Sequence, residues 1–117
     1  MLKERRAAVT TVSEALWAAE AAIDAALGKA ALLTGAIPQV SKDARLCTEV
    51  GQNAMERVSQ TIMSLTEARR AIVETHKELT VAGHQIGMGA MMEDWTGTKP
   101  IASSDETVQP MRPRRAA

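Results

Sequence analysis

The sequence predicts an all-α chain: a long antiparallel two-helix coiled-coil hairpin with an extended C-terminal tail, packed with others into an oligomeric helical bundle. Three observations predict it. Hydrophobic residues make up 45% of the 117 positions, yet aromatics are only 2%, with no Phe and no Tyr. Compact cores of this size normally fill their centres with large rings, whereas chains built from Ala, Leu, Ile, Val and Met suit thin helical assemblies. Apolar residues then recur at seven-residue intervals along two long stretches. Finally, the prolines fall only at Pro38 and beyond Glu93, so long helices are permitted between them.

The first helix is expected over about residues 2–34, where Ala, Leu and Glu dominate. Gly35 stands where a left-handed cap would end it, and Pro38 follows, so a turn is expected over 35–41. The second helix is expected over about residues 42–92. Ser41 would cap it and Asp43 would favour its dipole. Residues 1–92 thus form the hairpin. Residues 93–117 carry Pro100, Pro110 and Pro113 with little apolar periodicity, and read as an extended or disordered tail.

The heptads give a seam. In the first helix Leu2, Val9, Leu16, Ile23 and Ala30 form the a series, and Arg5, Val12, Ala19, Ala26 and Leu33 the d series. In the second helix the a series includes Val58, Leu65, Ile72, Leu79 and Ile86. Its d series is small: Cys47, Ala54, Thr61, Ala68, Thr75 and Ala82. Folding the chain back through the expected turn pairs Leu33 with Ala44, Ile23 with Ala54, Leu16 with Thr61 and Val9 with Ala68. It also sets Glu74 level with Lys3 and Glu20 level with Arg57.

Two features point outside the hairpin. Edge positions of a self-contained coiled coil usually carry Glu and Lys. Here one edge has Leu27, Met55 and Ile62, and the other has Ala8, Ala15, Ala22, Ser64 and Ala71. Trp17 adds apolar surface further round. In this register the second helix also overhangs the first by about four turns. The overhang carries Leu79, Ala82, Ile86, Met88, Met91 and Met92, with Trp95 just beyond. Burying each large side chain is worth roughly 1.5–3 kcal/mol, so the stripe wants a partner.

Chemistry is sparse. Formal net charge is +0, from 14 basic and 14 acidic residues, so there is no broad positive field for nucleic acid. A contact from the tail's Arg112, Arg114 and Arg115 is the one exception considered. Cys47 is alone, excluding an internal disulfide, and reads as a buried inert thiol. His76 and His84 lie eight residues apart, outside the i, i+3 or i+4 spacing of helical metal pairs. Neither a phosphate-binding loop nor a pocket for paired carboxylates is visible, so no catalytic residue, metal, cofactor or small-molecule substrate is expected. The acidic residues of the first helix, with Lys29, argue against a membrane span or surface role.

The expected function is therefore non-enzymatic: a soluble structural protein that self-assembles through helical hairpins, in the cytoplasm or within a particle such as a virion. The alternative is an adaptor or chaperone-like module that offers its helix-2 overhang to a different protein. The partners implied are further copies of the chain or another helical protein.

Overall fold

A computed structural model describes residues 1–89 and Met91. It is a two-helix hairpin with α1 at Leu2–Asp43 and α2 at Gln52–Gln85. The helices run antiparallel: Arg5 lies beside Ile86, Asp24 beside Arg69, and Ile37 reaches Gly51 at the turn. Met92, Trp95 and the expected tail lie outside the described residues.

The turn sits further along the chain than the sequence suggested. α1 does not stop at Gly35 but runs through Pro38 to Asp43. Proline removes one backbone hydrogen bond and crowds the preceding turn. Packing outweighs that cost, because Ile37 and Ser41 continue the half-buried stripe of α1 beyond Thr34. Residues 44–51 then form the connection. Cys47 falls inside it and is exposed, not buried as expected.

Both helices end in the same way. At the end of α1, Leu46 N–H donates to Ser41 C=O (2.8 Å) and Arg45 N–H to Lys42 C=O (3.1 Å), with Arg45 left-handed at φ 54. At the end of α2, Met88 N–H donates to Gly83 C=O (2.9 Å) and Gly87 N–H to His84 C=O (3.0 Å), with Gly87 at φ 80. These paired bonds satisfy carbonyls the helix leaves orphaned, and the left-handed residue turns the chain sharply back. Arg5 Nη1 caps a further carbonyl, that of Ile86, at 3.0 Å. The Gly-rich stretch from Gly83 to Gly89 is therefore an ordered stop.

That stop returns Met88 to the hairpin. Val9, Leu16 and Met88 make a buried cluster, with Trp17, Ile72, Leu79 and Met91 packed on it. Ala30 and Val58 are the other buried hydrophobics among the described residues. Ser13 is buried too, and its hydroxyl donates to Val9 C=O at 2.6 Å, which removes the cost of an unpaired polar group.

The central a residues face the partner helix in both helices, but their main companions are not the d residues, of which only Ala19, Ala26 and Ala68 are half-buried. The main companions lie four residues on: Ser13, Glu20, Leu27 and Thr34 in α1, and Ile62, His76 and Gly83 in α2. The rotation has a simple cause. It brings Leu27, Met55 and Ile62 into the seam in place of Ala and Thr, and burial free energy grows with apolar area. Those three residues, expected on an outer edge, are half-buried between the helices. The rotation carries Val12 and Leu33 outward instead.

Candidate interaction surface

Leu79, Met88 and Met91 of the expected overhang are packed against α1. Because α1 runs on to Asp43, α2 starts later and slides along its partner. Leu79, Met88 and Met91 pack with Val9, Leu16 and Trp17, where the expected register had set Val9 against Ala68. Ala82 and Ile86 remain exposed at the rim of that contact. The expected level pairs also dissolve: Glu74 bonds Lys77 within its own helix (3.1 Å), and Glu20 meets His76.

Two cross-helix pairs mark the register that forms. Asp24 accepts from Arg69 Nε at 2.9 Å, with both side chains more than half exposed. Glu20 Oε1 lies 3.2 Å from His76 Nδ1 in a part-buried setting, beside the Ile72 seam position. His76 is thus a seam residue, while His84 is exposed. Among the described residues, no three His, Cys, Asp or Glu side chains gather where they could hold a metal ion.

Large apolar side chains stand in solvent along the hairpin. In α1, Val12 is 41% exposed, Leu33 55% and Val40 62%. All three lie on one flank of the seam, in line with Ala19 and Ala26. On the same flank, Ala8, Val9 and Val12 of α1 and Leu79, Ala82, Gly83 and Ile86 of α2 line an apolar groove of about 150 Å³. Leu32, Met63, Val73 and Val81 are exposed elsewhere.

α1 is also long and apolar enough to cross a membrane, by length and composition. From Ala21 to Ser41 its only charges are Asp24 and Lys29. Bundle helices and signal sequences share that property. Only 6% of its apolar stretch is buried inside the hairpin.

Comparison with known family models, curated proteins and solved structures gives no match.

The sequence had flagged the right apolar residues but exchanged two of their surfaces. Leu27, Met55 and Ile62 serve the hairpin, whereas Val12 and Leu33, read as seam, face out. A helical projection recentred on Leu16 and Leu27 would have found this. The apolar stripe of α1 is wide enough for two seams, and the one with larger side chains wins.

Proposed function

We propose that the chain is a non-enzymatic structural protein that self-assembles through its helical hairpin into a larger helical complex. One observation carries this reading: among the described residues, twelve large apolar side chains of the hairpin stand exposed to water. Its buried hydrophobics among the described residues are Val9, Leu16, Ala30, Val58 and Met88. A domain normally buries one contiguous core, and two helices alone seldom supply enough. Exposed apolar surface extending along a helix is the usual mark of an interface.

The test is the absolute mass by light scattering over a concentration series. A fixed multiple of the 12.5 kDa chain supports assembly. A monomer at every concentration overturns it.

A further inference from the structure

Building on that self-assembly, we infer that the partner is a second copy related by a two-fold axis, and that the contact is the flank of α1 running from Ala8 to Val40. This flank has its own heptad stripe, set about a quarter-turn from the seam. Lys29 is its only charge between those ends.

The stripe is complementary to itself when reversed. Set a second α1 antiparallel across it, with Ala22 opposite Ala26 of the other copy. Leu33 then falls opposite Ala15, Val12 opposite Ala36 and Val40 opposite Ala8. These three layers each join one larger residue to one alanine, and the central Ala22–Ala26 layers let the two helices approach closely. An unrelated partner would have to supply this complement, whereas a second copy already carries it.

The axis passes at the level of Asp24, hence beside Arg69 of α2. On this flank α2 carries Arg57 and Glu78 as its only charges between those two positions. The same axis brings Arg57 of one copy within about 5 Å, along the helix direction, of Glu78 of the other, and does so twice by symmetry. The two threonine hydroxyls between them are already satisfied. Thr61 donates to Arg57 C=O at 3.1 Å and Thr75 to Ala71 C=O at 2.9 Å. Covering these two therefore strands no donor.

The area is sufficient. The flank is roughly 50 Å long at 1.5 Å per residue, and two helices about 9 Å apart make it roughly 18 Å wide. That is about 900 Å² per copy, close to the ~800 Å² per partner of a standard stable interface.

Cross-linking tests both face and register. In a Cys47→Ser background, an Ala15→Cys chain is mixed with a Leu33→Cys chain and treated with a short bismaleimide. The expected result is a mixed dimer at least five-fold more abundant than either self-linked dimer. Like positions lie about 27 Å apart along the axis in this register, beyond the reagent. Val12→Cys with Ala36→Cys should behave likewise and guards against a variant that fails to fold. A chain of dimeric mass with no preferred mixed product overturns the face while leaving self-assembly standing. A monomer overturns both, and a monomer that floats with phosphatidylcholine vesicles assigns the flank to lipid.

Discussion

α1 has two apolar stripes, and they do different work. The seam stripe holds Val9, Leu16, Ile23, Leu27 and Ala30 and packs against α2. The flank stripe holds Val12, Ala19, Ala26, Leu33 and Val40, of which the three larger residues stand exposed and the two alanines are half-buried at the margin of the seam. Both are apolar, and the flank differs mainly in having two alanines to the seam's one, so the presence of apolar residues alone does not choose between them. What chooses is size on the partner helix. α2 offers Met55, Val58, Ile62, Leu65 and Ile72 towards the seam, but Ala54, Thr61, Ala68, Thr75 and Ala82 towards the flank. The helices turn towards the larger set, and the small set is left as a smooth surface.

The sharpest way to break this comparison is to truncate each stripe in turn. Leu16 is 5% exposed, so Leu16→Ala should cost about 2–5 kcal/mol in urea unfolding at fixed chain concentration. Leu33→Asp should retain the far-ultraviolet helix signal while lowering the mass in solution. If Leu33→Asp instead loses its helicity, the flank belongs to the hairpin core and the distinction fails.

Pro38 bears on where α1 ends. The helix continues through it because Ile37 and Ser41 keep to the seam. Pro38→Ala should therefore stabilise the hairpin, by about 1–3 kcal/mol, by restoring a helical hydrogen bond. A loss of stability would show that the proline is needed to shape the turn.

The two helix ends give a smaller and opposite pair of effects. The left-handed position is Gly87 after α2 but Arg45 after α1. A side chain there costs about 1–2 kcal/mol that glycine avoids. Arg45→Gly should raise stability by about 1 kcal/mol and Gly87→Ala should lower it by a similar amount, read from thermal melts. Two shifts of the same sign would contradict the shared geometry.

The smallest effect should come from Asp24→Asn. Its pair with Arg69 is exposed, so breaking it should cost under ~1 kcal/mol and fade in salt. A larger loss would mean the pair becomes buried in the assembly.

The fold class was legible because two long heptad runs and a single break permit little else. The a series was legible as well, since Val9, Leu16, Val58 and Leu79 are large and regularly spaced. The register was not. It depends on where α1 ends, and there local propensity at Gly35 and Pro38 opposed the packing of Ile37, which won. The rotation was missed for a related reason. A seven-residue repeat with three apolar positions per heptad fits either of two neighbouring pairs, and only the partner's side-chain sizes separate them. Met88 was misplaced because its return depends on the backbone bonds around Gly87, which hydrophobic spacing does not report.

The most direct test of the central claim, that the hairpin is completed by another copy of itself, is the unfolding temperature across a hundred-fold range of chain concentration. Association that stabilises the folded state makes that midpoint rise with concentration. The account predicts a clear rise for the native chain and none for Leu33→Asp. A native midpoint independent of concentration, in a chain that is monomeric throughout, would contradict it.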